Sequence, residues 1–209
     1  MGKRVFVSAD WKENESNPKS CDKNVVGRIR EWADDDRRSI EIDCTDDVHS
    51  SVLDTLDDCR RCDIKRECGS HINWSSIVIF VVGDNTATKS AGACSCDECS
   101  PAYSGKEKLP CKLVWGTSSS DVRTWDGTLY KNEMGMSYLQ YEITKAAQLG
   151  KSIIVVFNSM NKQESWIPSW YTTLLNDTSL TFTEKCRVPF WKDTERKGDC
   201  YQDIKEHLL

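Results

Sequence analysis

Apolar residues along the chain fall into short runs that alternate between two spacings. Four runs have strand character: "VFV" at Val5, "SIEIDC", "SSIVIFVVG" and "SIIVVF". Between the first two, Val25, Val26, Ile29 and Trp32 recur at helical spacing, which predicts an amphipathic helix. Strands that alternate with helices predict an α/β protein with a doubly wound parallel sheet. "SSIVIFVVG" is β-branched and apolar on both faces, so we expect it to be a central strand, and "SIEIDC" an edge strand.

Three further segments show helical periodicity. The first is the segment that contains Val48 to Leu56, and Thr45 or Asp46 could cap it. The second is "SYLQYEITKAAQLG", which ends at Gly150. "CYQDIKEHLL" predicts a closing helix, whereas "SWIPSWY" predicts a loop or short helix with exposed tryptophans and "RVPFW" a last strand. The residues expected on the buried faces of these helices are Val48, Val52, Leu53 and Leu56 in the first, Leu139, Ile143, Ala146 and Ala147 in the second, and Tyr201, Ile204 and Leu208 in the last.

Residues 86–135 interrupt this pattern, because they are rich in Gly, Ser, Thr and Cys and show no sustained periodicity. A loop of this length inside a compact domain usually has a function or a metal that organises it. We therefore predict one domain over residues 1–209, with residues 86–135 as a Cys-rich insertion within it.

Composition narrows the function. The chain has 209 residues, of which 38% are hydrophobic, enough for one sizeable core. Its net charge of -5 argues against binding duplex nucleic acid, although a local basic pocket for a phosphate ligand stays open. No apolar run approaches the roughly 20 residues of a membrane helix. The short apolar run after the first Met is not typical of a secretory signal, and Phe6 breaks the myristoylation pattern, so we expect a cytoplasmic protein that does not bind membranes.

The chain has 11 cysteines, most of them between residues 59 and 111. Without a secretory signal, metal binding or buried thiols are favoured over disulfides. Two sets of four soft ligands could each hold a structural zinc ion. Cys59 and Cys62 could instead continue a helix, and oxidation to disulfides is a further alternative. The two candidate zinc sets are Cys59, Cys62, Cys68 and His71, and Cys94, Cys96, Cys99 and Cys111.

The segment "SYLQYEITKAAQLGKSIIVVF" carries a more specific pattern. Tyr138 is followed four residues later by Glu142 in the same helix, and Gly150-Lys151 leads into an apolar strand. With "RVFVSAD", the helix before "SIEIDC", and "SSIVIFVVG", this pattern resembles a TIR-like domain, and more closely the TIR-like subunit of bacterial Thoeris anti-phage systems. The resemblance covers about the first three quarters of the chain outside the insertion. The chain departs from the family in having Tyr138 where tryptophan is common, and in its Cys-rich insertion.

The resemblance implies a flavodoxin-like sheet of order 2-1-3-4-5 and an enzyme that uses NAD as its substrate. Such proteins release nicotinamide and often convert the ADP-ribose part into a cyclic or conjugated signal that activates a partner effector. A phage protein as trigger and assembly into homo-oligomers are expectations of the same kind. By this resemblance Glu142 occupies the position of the catalytic glutamate.

The predicted topology brings other residues towards Glu142. In a doubly wound sheet, ligands bind beyond the carboxyl ends of the strands, where the winding direction reverses. Loss of nicotinamide builds positive charge on the ribose while the leaving ring becomes neutral, so the reaction needs no general acid and one carboxylate could suffice. Tyr138 or Trp11 could stack on a base. The predicted substrate-binding residues are Ser8, Ala9, Asp10, Trp11, Asp84 and Tyr138.

Plainer interpretations stand beside this one. A glutamate in an amphipathic helix is most often solvated, and Asp10 and Asp84 could simply end strands or cap helices. No glycine-rich phosphate fingerprint occurs in the chain. The protein could therefore be a non-catalytic TIR-like interaction module, or a sensor that depends on a metal or on thiols.

Overall fold

A computed structural model describes residues 3–10, 21–35, 40–44, 60–88, 92 and 135–208. Within these ranges, five helices and two short 3₁₀ turns surround five strands. The strands are β1 (Lys3–Ser8), β2 (Ile40–Cys44), β3 (Ile77–Val82), β4 (Ser152–Phe157) and β5 (Thr183–Pro189). The helices are α1 (Asp22–Ala33), α2 (Arg60–Trp74), α3 (Tyr138–Gln148), α4 (Ser169–Leu175) and α5 (Tyr201–Leu208), and the 3₁₀ turns are Thr86–Thr88 and Glu164–Trp166.

The five strands form one sheet in the order β2-β1-β3-β4-β5, and every neighbouring pair is parallel. The α/β class and the parallel sheet predicted from the sequence are thus confirmed. β3 lies in the middle, and all six of its residues are buried, as its uninterrupted apolar sequence predicted. Each buried Val or Ile side chain contributes about 1.5–3 kcal/mol relative to exposure, so this strand anchors the fold.

Helices cover both faces of the sheet. On one face, Val5 and Val7 of β1 pack in a core with residues of α1 and α5. On the other face, Phe6 packs with residues of α2, α3 and α4. Successive side chains of a strand point to opposite faces, which places Ser8 on the same face as Phe6. This alternation sets the position of the candidate site.

Specific residues define both ends of α3. Ser137 caps its first turn by accepting a hydrogen bond from the Gln140 backbone N–H at 3.1 Å. Gly150 follows the helix with φ +66°, a conformation that favours glycine, as expected from the sequence. The Lys151 ammonium then donates to the Asn73 carbonyl at 2.8 Å and the Ser75 carbonyl at 2.7 Å. These bonds tie the start of β4 to the end of α2.

Two features of the carboxyl-terminal third differ from the sequence prediction. The exposure expected for the tryptophans of "SWIPSWY" is wrong, because Trp166 and Trp170 are partly buried against the core. β5 begins at Thr183, earlier than "RVPFW", and Phe190 follows the strand rather than forming part of it. Phe190 is buried and stacks on Trp32 of α1, with ring centroids 5.7 Å apart.

Some predictions fall on residues that the structure does not describe. The helix predicted after Thr45 lies there, and so does the insertion apart from residues 86–88, 92 and 135. None of the helices in the described ranges combines the length and the apolar character required to cross a bilayer.

Candidate functional site

The carboxylate of Glu142 is buried against the carboxyl end of β1. Its Oε2 accepts a hydrogen bond from Ser8 Oγ at 2.6 Å. Glu142 is 1% exposed and Ser8 is 0% exposed, so the alternative interpretation of Glu142 as a solvated helix residue is wrong. The two residues are 134 positions apart in the chain and meet only because the sheet and α3 bring them together.

The amphipathic pattern of α3 explains this position. Leu139, Ile143 and Ala146 lie in the core on the side of the sheet that Phe6 shares, as predicted. Glu142 directly precedes Ile143, so it is carried into the interior at the margin of that apolar face. Ser8 ends β1 on the same side of the sheet and supplies the hydroxyl that the carboxylate needs.

A buried carboxylate with a short hydrogen bond is energetically unusual. Burial of a charged group is costly unless hydrogen bonds or other charges compensate for it. An O–H···O contact to a carboxylate of 2.5–2.7 Å is stronger than one between neutral groups. The bond from Ser8 therefore holds the carboxyl group of Glu142 in a defined orientation inside the protein, where electrostatic interactions are stronger than in water.

Apart from Tyr138, the other predicted substrate-binding residues are buried, exposed, or outside the described residues. Ala9 and Asp10 directly follow Ser8 and are buried. Asp84 is exposed, and its carboxylate accepts from Asn85 Nδ2 at 2.9 Å in the turn after β3, which places it outside the buried pair. Trp11 lies outside the described residues.

Tyr138 lies one turn before Glu142 and is half-buried against the core. A Cβ atom added at Gly92 would lie 2.5 Å from Tyr138 Cγ and 2.6 Å from each Cδ atom. These nearly equal distances place the Gly92 backbone over one face of the ring. That face is therefore closed to stacking by a nucleotide base, and Gly92, a residue of the predicted insertion, packs directly against α3.

Two residues of α2 hold α3 in place, and the sequence analysis missed both of them. Gly69 gives room for Tyr141, because a Cβ at this position would lie 2.6 Å from the tyrosine Oη. One turn earlier, Lys65 is 4% exposed, and its ammonium donates to the Met136 carbonyl at 2.7 Å. Lys65 thereby fixes the chain just before α3 begins.

The sequence analysis also missed a second polar cluster. It lies at the carboxyl ends of the strands, as Ser8 does, but on the face of the sheet that α1 covers. Asn158, directly after β4, donates through Nδ2 to Asp22 Oδ1 at 2.8 Å. Its Oδ1 accepts from Trp191 Nε1 at 2.8 Å and from the Arg196 guanidinium at 3.3 Å. The Asp22 carboxylate packs against Gly83, where a Cβ would lie only 2.5 Å from Oδ1. No local spacing signals these contacts, since they join distant segments.

Most of the predicted zinc ligands lie outside the described residues: Cys59, Cys94, Cys96, Cys99 and Cys111. Cys62 belongs to α2, but the description does not extend to its side chain. Cys68 is buried in the apolar core and His71 is half-buried on α2. Within the described ranges, no three His, Cys, Asp or Glu side chains are grouped so as to hold a metal ion.

Two further cysteines in the described ranges are thiols, of which Cys200 is buried and Cys186 is partly buried. Cys186 and Cys200 form no disulfide. Burial raises the pKa of both thiols above the ordinary value, which disfavours the reactive thiolate. Among the described residues, the buried pair of Ser8 and Glu142 therefore remains the arrangement best suited to catalysis. Comparison of the chain with protein-family models, with curated proteins and with solved structures found no match.

Proposed function

We propose that this protein is a TIR-like enzyme with a flavodoxin-like sheet, and that it cleaves NAD between nicotinamide and ribose. Glu142 is the catalytic carboxylate in this proposal. The single observation that carries it is the burial of Glu142 with its Oε2 held by Ser8 at the carboxyl end of β1. That edge of a doubly wound sheet is where ligands of such folds bind.

The chemistry requires one correctly placed negative charge. The bond between the ribose carbon and the nicotinamide nitrogen breaks, and its electron pair neutralises the departing pyridinium ring. Positive charge then develops on the ribose, where the carboxylate of Glu142 stabilises it or orients the ribose hydroxyls. Ser8 keeps the carboxyl group in position, so the group does not have to reorient as the bond breaks. Capture of the ribosyl cation by water, or by another nucleophile, forms the new bond to the ribose carbon, and the proton that a water or hydroxyl nucleophile loses passes to solvent.

The proposal extends to the role of the product. Capture by water yields ADP-ribose, whereas capture by a hydroxyl or ring nitrogen yields a cyclic or conjugated nucleotide. In the proposed role, this nucleotide is a diffusible signal that activates a partner effector during anti-phage defence. Mass spectrometry of nucleotides from infected cells that express the protein would identify it.

NAD turnover by the purified protein tests the proposal. We expect nicotinamide release by the wild type and a loss of about 10²–10³-fold in kcat for Glu142→Gln, the usual cost of removing one electrostatic contact to the transition state. Glu206→Gln is the matched control, because Glu206 is an exposed helix glutamate, and we expect it to retain full activity. Turnover that survives Glu142→Gln, or a wild type that is silent over a wide range of protein concentrations, would favour the non-catalytic interaction module.

A further inference from the structure

The loop after β5 is rigidly built at the carboxyl edge of the sheet. Trp191 and Asp199 pair as an antiparallel bridge that closes it. Inside the loop, the Asp193 carboxylate accepts from the Lys197 backbone N–H at 3.1 Å and from that of Gly198 at 2.7 Å. Because β5 is parallel to the other strands, this loop leaves the sheet at the same edge as Ser8.

Arg196 occupies an unusual position in this loop. Its φ is 57°, in the left-handed region that residues with a Cβ rarely adopt. Its guanidinium lies 5.4 Å above the Trp191 ring and donates to Asn158 Oδ1 at 3.3 Å. Strained backbone that is held by its surroundings is a pointer to function. The loop therefore fixes the guanidinium at one place on the edge.

The charge of Arg196 is only weakly compensated. Asn158 binds Asp22 through Nδ2 and Arg196 through Oδ1, and thus lies between the two charged groups. Within the part of the chain that the structure describes, Arg196 forms no ion pair and donates one hydrogen bond of the five N–H groups that a guanidinium offers. Burial lowers the pKa of Arg196, and the Asp22 charge only partly opposes this effect. A half-buried cation of this kind is suited to an anionic ligand.

The spacing between Ser8 and Asn158, the residues that Glu142 and Arg196 contact, suits a dinucleotide. Ser8 ends β1 and Asn158 directly follows β4, with β3 between the two strands. Two strand spacings separate the positions by about 10 Å along the edge. The planar guanidinium binds phosphate oxygens through two parallel hydrogen bonds. A dinucleotide lying across the edge could therefore place one ribose near Glu142 and its phosphates near Arg196.

We infer that Arg196, presented by the loop of residues 191–199, binds the pyrophosphate group of the dinucleotide substrate. This inference rests on the proposed NAD-cleaving function, which it extends by assigning a phosphate site. It also gives Arg196 a specificity role, because ligands without phosphates would gain nothing from it.

The test compares Arg196→Gln with Lys197→Gln, which removes the same unit charge from an exposed, neighbouring position. With NAD as substrate, we expect Arg196→Gln to raise KM roughly 10- to 100-fold, the usual effect of losing hydrogen bonds to a charged group, with little change in kcat. Nicotinamide riboside has the same scissile bond and no pyrophosphate, so its kcat/KM should not change. Lys197→Gln should match the wild type with both compounds. Equal losses with both compounds, or no loss with NAD, would overturn the inference.

Calorimetry separates this inference from the proposed reaction, because binding does not require catalysis. We expect ADP-ribose and inorganic pyrophosphate to bind the wild type and Glu142→Gln alike, and to bind Arg196→Gln roughly 10- to 100-fold more weakly. That result upholds the phosphate site even where NAD is not cleaved. Equal binding to Arg196→Gln, or no binding of either probe to the wild type, rejects it. Arg196→Gly, which suits the left-handed backbone, should retain the melting temperature while losing the binding.

Discussion

Replacing Ser8 by alanine should destabilise the protein, because it removes the hydroxyl that donates to the buried carboxylate of Glu142. The bond is 2.6 Å long, and both residues are at most 1% exposed, so in the free protein the bond is shielded from bulk water. Hydrogen bonds to charged groups contribute about 1.5–3 kcal/mol, and we expect the free energy of unfolding to fall by about 2 kcal/mol. The assay is urea unfolding of wild type and variant at neutral pH, with the midpoint and the m-value compared.

The chain offers a matched control for this prediction. Ser179 Oγ donates to Asp177 Oδ1 at the same distance of 2.6 Å, but both residues are exposed. Ser179→Ala should change the free energy of unfolding by less than about 0.5 kcal/mol. In the Glu142→Gln background, the cost of Ser8→Ala should shrink by about 1 kcal/mol, because a neutral acceptor makes a weaker bond. A loss of unfolding free energy for Ser8→Ala no larger than that for Ser179→Ala would contradict this role of the Ser8 hydroxyl.

Three further predictions concern the surroundings of the site. Gly69→Ala should lower the free energy of unfolding by about 1–3 kcal/mol, because the new Cβ clashes with the Tyr141 hydroxyl. Adding Tyr141→Phe should restore part of that free energy, as measured by urea unfolding. Gly92→Ala should be destabilising by thermal melting, because φ is +89° and the new Cβ meets the Tyr138 ring; an unchanged melting temperature contradicts this contact. Backbone N–H donors lower the pKa of Asp193 below the ordinary carboxyl value of 3.8. The ionised Asp193 carboxylate therefore stabilises the fold above pH 3.8, and this stabilisation is lost as the pH falls through the lowered pKa. An NMR titration in which the Asp193 carboxyl signal has its inflection at or above pH 3.8 would contradict this prediction.

The positions of the strands followed largely from the sequence, since they depend on local pattern. "SIIVVF" corresponds residue for residue to β4, and the apolar run from Ile77 corresponds to β3. The prediction was poorer where tertiary packing decides. Trp166 and Trp170 appeared exposed in a polar context, yet they pack against the core on the face of the sheet that Phe6 shares, which local periodicity does not reveal.

The candidate site was only partly accessible to sequence reasoning. Glu142 and Ser8 were singled out, because one belongs to a helix motif and the other ends a strand. Their burial and direct contact were not predicted, since they depend on how α3 packs on the sheet. Lys65 and Asn158 carried no signal, because each acts through a partner that is distant in the chain. The metal prediction for the cysteines stays a prediction, since most of those residues lie outside the described ranges.

The most direct test of the central claim is a single-turnover experiment with the purified protein in excess over NAD. Working at several protein concentrations lets any assembly needed for activity form during the measurement. We expect nicotinamide to appear in a first-order phase with the wild type, and we expect Glu142→Gln to slow this phase by about 10²–10³-fold while remaining folded. Nicotinamide formation at the same rate with both proteins, or no formation with the wild type at any concentration, would contradict the assignment of Glu142 as the catalytic carboxylate.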